Sequence, residues 1–339
     1  MVHFLSATSA RSRPHRAGAA SAVAVLLAGC SGPQSSLDPA GAGAREIADL
    51  FWWMAGGTVV VWVAVAWLTY SAVRGRVAEQ TARQARYYII GGGALFPTVV
   101  LTALLLHGFR ILPPLLAPAP PGSLRIAVSG EQWWWRVQYQ PDGEEPVELA
   151  NEIRLPVGEP VEFILDAPDV IHSFWIPSLG GKMDMIPGRT TRLTLQATRT
   201  GTFRGVCAEY CGESHALMAF PVVVMAKAEF SAWLAAQRAP AQAPADPLAE
   251  RGRAAFLQNG CAACHAVRGT EARGRIGPDL THVGGRMTLG AGVLTNNRAA
   301  LVRWLAHTDR VKPGVLMPHF GMLPAAELDA VAAYLESLR

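Results

Sequence analysis

The sequence predicts a multidomain fold: a hairpin of two membrane-crossing helices, a small all-β sandwich and an all-α C-terminal domain. Three observations predict it. Residues 50–73 and 88–112 are apolar stretches, each supplying the roughly 20 residues that a hydrocarbon layer demands. Between residues 122 and 224, short β-rich runs at 124–128, 133–139, 161–165, 192–196 and 220–224 are broken by Gly and Pro, the pattern of a sandwich or Greek-key barrel. Beyond residue 247 the pattern turns helical, with Leu328, Val331, Ala332 and Leu335 on one face of 325–338. A composition half apolar and 17% charged excludes a disordered chain. The formal charge of +4 gathers in arginines near the N-terminus and between the apolar stretches, which gives no support to nucleic-acid binding.

Residues 1–29 have the layout of a secretory signal, with Arg11, Arg13 and Arg16 preceding an apolar run. Leu27, Ala28, Gly29 and Cys30 resemble a bacterial lipobox, so cleavage would leave Cys30 as a lipid-bearing N-terminus and 30–46 as a polar tether. Residues 47–115 form the membrane hairpin, and Trp52, Trp53, Trp67, Tyr70, Tyr87 and Tyr88 suit its interfacial belts. The loop between the spans carries Arg74, Arg76, Arg83 and Arg86 against Glu79, which places it in the cytoplasm and everything after residue 112 outside. The β domain covers 122–236. Residues 237–247, rich in Ala and Pro, read as a semi-rigid linker. Asp246 and Pro247 then supply the N-cap and first residue of a helix opening the last domain, 248–339.

The cysteines are Cys30, Cys207, Cys211, Cys261 and Cys264. Within twelve residues stand Cys207, Glu209, Cys211, His215 and Met218, with His172 upstream. Two thiolates, two imidazoles and a thioether favour copper over magnesium, calcium or manganese; zinc matches the Cys and His count, and Met218 tips the set toward copper. Cys261, Cys264 and His265 form the C-x-x-C-H of covalent c-type haem attachment, two thiols for the vinyl groups and an axial imidazole.

The spacing C-x-E-x-C-x-x-x-H-x-x-M from Cys207 to Met218, after Asp169-Val170-Ile171-His172-Ser173-Phe174-Trp175, resembles the binuclear copper site (CuA) of haem–copper oxidase subunit II. That resemblance implies a cupredoxin-like sandwich in which Cys207 and Cys211 bridge two coppers. His172 and His215 become terminal ligands, Met218 and the Glu209 carbonyl weak ones. It further implies a magnesium or manganese ion at the Glu209 carboxylate, shared with subunit I, and a supporting role for Asp184. Gln132-Trp133-Trp134-Trp135 is similar to the aromatic stretch that receives electrons from external cytochrome c, with Trp133 as the receiving residue. Residues 248–339 resemble a class I cytochrome c: Gly252 and Phe256 precede the haem motif, Pro278 orients His265, and Tyr334 lies in the last helix. Met317 is then the second axial ligand, with Met322, His319, His307 and His282 as competitors.

The resemblance implies an electron-accepting subunit of a respiratory cytochrome c oxidase in a bacterial cytoplasmic membrane, its copper and haem domains on the periplasmic face. Electrons would run from a soluble or membrane-bound cytochrome c, or another donor, through haem c and CuA to the oxygen-reducing site of subunit I, with proton pumping and subunit III as a further partner. A stand-alone membrane electron carrier is one rival. A nitrous oxide reductase-like copper protein is another, although the remaining histidines offer no second cluster. The sequence departs from the family near the start of the second span, where Tyr88 and Ile90 stand in place of a proton-channel Glu.

Overall fold

Two helices long and apolar enough to cross a membrane lead the computed structural model, which describes residues 31–75, 81–141 and 143–339. The signal segment, Cys30 and Glu79 lie outside the described residues. Helix α1 (Ala42–Val73) begins well before the apolar stretch at residue 50, because its first turns dock on the β domain. Ala40 N donates to Ser178 O at 2.7 Å, Thr198 N to Ala40 O at 2.7 Å and Ala44 N to Leu179 O at 3.2 Å. Residues 31–46 are therefore no free tether: buried Ala40, Ala44 and Ala48 fasten the span to the sandwich. Helix α2 (Ala82–Leu116) is longer than its predicted apolar stretch at both ends. It opens on a Thr81/Gln84 capping box and winds as a π-helix over Tyr87–Leu95, where Gly91, Gly92 and Gly93 lie. Large apolar side chains such as Trp53, Trp62, Ile89 and Leu101 point outward from both helices, as lipid or a neighbouring subunit requires.

Ten strands form two five-stranded sheets. One has the order β3 (Val147–Ala150), β2 (Trp134–Gln140), β1 (Leu124–Glu131), β5 (Pro160–Asp166), β8 (Thr191–Gln196). The other runs β4 (Ile153–Pro156), β10 (Ala219–Met225), β9 (Gly201–Cys207), β6 (His172–Trp175), β7 (Met183–Met185). The pairs β1–β5 and β4–β10 are parallel, and the rest antiparallel. Period-two burial turns Trp135, Val137 and Tyr139 inward from β2. Trp135 meets Phe220 and Phe174 edge-on, with centroids 5.0 and 5.9 Å apart, and Phe174 stacks on Phe220 at 5.1 Å. Phe174 pairs with Cys207 across β6 and β9, and the Trp135 ring lies 6.4 Å from that of His172, so this aromatic centre adjoins the metal-ligand candidates. Helix α3 (Lys227–Arg238) closes the sandwich with Phe230 and Leu234.

The last domain packs α4 (Pro247–Gln258), α5 (Arg298–Ala306), α6 (Thr308–Val311) and α7 (Ala325–Ser337) around a small hairpin, β11 (Thr288–Leu289) and β12 (Leu294–Thr295). Asp246 caps α4 by accepting from Leu248 N at 3.2 Å, with Pro247 at the first helical position. A Cβ on Gly252 would stand 1.9 Å from Ala330 O, so glycine lets α4 cross α7 closely and brings Phe256 edge-on to Tyr334 at 5.6 Å. The end of α3 and the segment after it pack down: Arg268 Nη2 donates to Gln237 O at 2.6 Å, and Ala241 N donates to Arg268 O at 2.8 Å.

The joint between α1 and the sandwich yields a prediction. A Cβ on Gly41 would fall 2.1 Å from the Leu179 carbonyl, whereas one on Gly181 meets nothing within 4 Å. Gly41→Ala should lower stability to denaturant by about 2 kcal/mol, and Gly181→Ala should not. Equal unfolding midpoints for the two variants would show that the joint is not rigid.

Candidate functional site

Strand β6 opens with the buried His172, and the loop after β9 returns to β10 through a short 3₁₀ turn, His215–Leu217. Cys207 N donates to Met218 O at 2.9 Å, closing the loop's base, and Ala208 N donates to Ser173 O at 2.9 Å, binding it to β6. All the candidate ligand atoms converge. Cys207 Sγ and Cys211 Sγ are 3.8 Å apart; His172 Nδ1 is 3.7 Å from Cys207 Sγ and His215 Nδ1 is 3.5 Å from Cys211 Sγ. Met218 Sδ is 3.8 Å from Cys211 Sγ, and Glu209 O is 3.2 Å from Cys207 Sγ. His172, Cys207, Cys211 and Met218 are buried, and the four described cysteines form no disulfide.

Electrostatics favours a cation among these atoms. With protons alone the sulfurs cannot both ionise: the hydrogen bond from Cys211, aided by His172, pulls Cys207 well down, and the resulting thiolate pushes Cys211 up. A soft metal ion between them removes that conflict, since a coordinated thiol is deprotonated outright. Burial opposes charge on His172, yet its hydrogen bonds to Cys207 and Asp169 outweigh it and raise its pKa. Asp169 Oδ1 lies 3.0 Å from His172 Nε2, which leaves Nδ1 aimed at the sulfurs.

Other expected residues occupy distinct places. Asp184 pairs with Ser173 in the register of β6 and β7 and accepts from Ser173 Oγ at 2.8 Å and Lys182 Nζ at 3.0 Å. Those bonds, Lys182's first, hold its carboxyl below the usual range. Glu209 is exposed, while its carbonyl faces the Cys207 sulfur. Trp133 is buried: its Nε1 donates to Cys211 O at 2.9 Å, and Gln132 Nε2 donates to the same carbonyl at 2.7 Å.

In the helical domain a cavity of about 620 Å³ is lined by Cys261, Cys264, His265, Pro278 and Met317. His265 Nδ1 donates to Pro278 O at 2.8 Å, which fixes the tautomer and frees Nε2. A Cβ on Gly277 would stand 2.6 Å from His265 Cε1, so glycine gives the ring its place. Among the competitors for the second axial position, none of Met322, His319, His307 and His282 lines the cavity. The cavity fits an amphipathic prosthetic group: it is mostly apolar, yet Arg286 and Thr288 line it, and Thr288 Oγ1 is buried without a hydrogen-bond partner. Residues of the β domain complete its wall, among them Trp133, Trp134, Asn151 and Asp169.

The sequence motifs contain Asp169 and Gln132 without indicating a role for either, and Thr288 and Lys312 lie outside the motifs. Asp169 stands three residues before His172, a readable signal. Lys312 sits in a Val-Lys-Pro-Gly turn that reads as solvated loop, yet it is only 1% exposed. Desolvation pushes its ammonium down to about 7, while three carbonyl acceptors favour the charged form.

Comparison with known proteins gives two family matches, "Cytochrome C oxidase subunit II, periplasmic domain" over residues 140–227 and "Cytochrome c" over residues 249–339. Cytochrome c oxidase subunit 2 of Bacillus subtilis is 32% identical over 346 residues, covering 94% of this chain and 95% of that protein. The subunit 2 of Alkalihalophilus pseudofirmus is 41% identical over 214 residues, where the alignment spans 63% of this chain and 61% of that protein. A crystal structure of the periplasmic domain of subunit II of cytochrome oxidase of Bradyrhizobium japonicum is 32% identical, with a TM-score of 0.33, over 35% of this chain and 96% of that one.

The Asp169–His172 contact generates a prediction. Asp169→Ala should weaken metal retention about tenfold to a hundredfold, because the imidazole loses the group that fixes its tautomer and orientation. Competition with a chelator measures it; unchanged retention would mean that the ring is held by other groups.

Proposed function

The chain belongs to the cytochrome c oxidase subunit II family, and from that premise we propose that it carries electrons through its own haem c to a binuclear copper centre and on to subunit I. The observation that carries this reading is the position of Trp133. Its indole bonds the Cys211 carbonyl while the same residue walls the haem cavity, so one side chain touches both candidate sites.

When bound, the two groups would supply reversible one-electron redox chemistry. The protein's part is to hold them with little rearrangement. Cys261 and Cys264 would attach the haem, and His265 Nε2 and Met317 would ligate its iron, a Met/His pair that would suit a donor to copper. Cys207 Sγ, Cys211 Sγ, His172 Nδ1 and His215 Nδ1 would hold the copper centre, with Met218 Sδ and the Glu209 carbonyl as weaker donors. Two donors on the Cys211 carbonyl and the closed base of the loop restrain those ligands, which supports transfer with small changes in bond length. The exposed Glu209 carboxylate suits a hard cation such as magnesium or manganese at the boundary with subunit I, with Asp184 fixing β6 beside it.

The whole complex reduces oxygen in subunit I and pumps protons, and subunit III accompanies it. The outward apolar faces of α1 and α2 fit a bacterial cytoplasmic membrane, with both redox domains on the periplasmic side and a lipid on Cys30. The first two relatives are matched over only about three fifths of their length, and the Bacillus subtilis protein over 95%. Domain bounds of 122–236 and 248–339, with a linker at 237–247, are part of this reading. An external cytochrome c or other donor reduces the haem.

Cys211→Ser in the assembled oxidase tests the order of carriers. Haem c should form and be reducible, copper content should fall, and oxygen uptake with natural donors should drop at least about a hundredfold, since a single thiolate cannot bridge the pair. A copper-free variant that still turned over at the normal rate would refute the proposed order.

A further inference from the structure

Lys312 belongs to the haem domain, but two of its three hydrogen bonds reach into the copper domain. Its Nζ donates to Trp133 O at 2.5 Å, to Leu217 O at 2.8 Å and to Gly290 O at 2.8 Å. Leu217 lies between the ligand candidates His215 and Met218, and Trp133 is the residue shared by the two sites. An ammonium has three N–H donors, and here all three are satisfied by main-chain carbonyls with the side chain buried. A buried ammonium left without those acceptors is strongly unfavourable. The lysine is therefore comfortable in this position only while the haem domain sits on the ligand loop in this one orientation.

Independent contacts surround it. Ser214 Oγ donates to Pro313 O at 2.6 Å, and Ala219 N donates to Ala291 O at 3.0 Å, so one residue within the ligand loop and one just after it bond the haem domain. A Cβ on Gly314, whose φ is +78°, would stand 2.8 Å from Trp133 Cη2, so the backbone approaches the indole as closely as glycine allows. Farther out, Met287 N donates to Glu152 Oε2 at 2.8 Å and Arg136 Nη2 to Arg275 O at 2.9 Å.

We propose that Lys312 is a positioning residue that locks the haem domain onto the copper-ligand loop, so that electrons pass within a fixed docked pair and no search by a tethered domain precedes each transfer. The proposal rests on the haem-to-copper order argued above. Its mechanism adds no chemistry: the lysine neither accepts the electron nor gives a proton, and sets only where the donor sits.

The test compares wild type with Lys312→Met in the assembled oxidase. Haem absorption and the near-infrared band of the copper pair are recorded first; if wild type lacks either band, the proposed function fails, and the exchange measurement below still decides the docking. Amide hydrogen exchange over residues 212–219 and 288–294 should be about tenfold faster in the variant. After rapid reduction of the haem, transfer to copper should be independent of glycerol viscosity in wild type. In the variant it should be about tenfold slower and should fall as viscosity rises, the behaviour of a tethered encounter. Gly314→Val opens the same face without touching the lysine and should behave alike, so poor assembly of one variant leaves the other. Unchanged exchange together with a wild-type rate in the variants would overturn the proposal. So would a wild-type rate that falls with viscosity, a result that needs no variant.

Discussion

Two thiol sulfurs 3.8 Å apart in a buried loop impose the constraint around which the outer half of the chain is arranged. They cannot both carry charge unless a cation lies between them, and a cation there is useful only if the ligands stay in place when its charge changes. The fold meets this by bonding the loop at several points to rigid strands. Its base is closed by Cys207 N and Met218 O, its crest is held by Gln132 and Trp133 through the Cys211 carbonyl, and His172 is aimed by Asp169. Beneath them the rings of Trp135, Phe174 and Phe220 fill the sandwich, so neither β6 nor β9 can shift without opening a void.

The helical domain extends the same logic to its neighbour. Its haem cavity borrows part of its wall from the β domain, and Trp133 faces both sites. The covalent connection between the domains contributes less freedom than its Ala/Pro composition implies, because residues 237–241 bond to Arg268 and His282. A tether alone would raise the local concentration of one partner. A packed connection and a buried lysine across the boundary instead select one arrangement.

Much of this was legible in the sequence, and the gaps have physical causes. Ligand spacings survived because metal chemistry fixes residue type and separation together: His172, Cys207, Cys211, His215 and Met218 converge, and Met317 lines the cavity that its competitors do not. The aromatic or β-branched strands β1, β2, β5, β8 and β10 were visible. Strands β3, β4, β6 and β7 are three or four residues long, and β9 carries two glycines, so each lacks the run that alternation needs and exists through its neighbours. The start of α1 was hidden for a related reason: residues 42–49 are too polar to register as a span, and their helix is secured by contacts with residues 178–179. Lys312 illustrates the deepest limit, since a lysine followed by Pro and Gly carries a surface signature and only the meeting of two domains buries it.

A single docked geometry joins the haem and copper sites. Pulsed electron–electron dipolar spectroscopy between the ferric haem and the mixed-valence copper pair, in the frozen intact oxidase, measures the distribution of distances between them. One narrow distribution, the same in low and high salt, is the result predicted by an interface built on buried main-chain acceptors. A broad distribution spanning many ångströms would contradict it and return the haem domain to the end of a flexible tether.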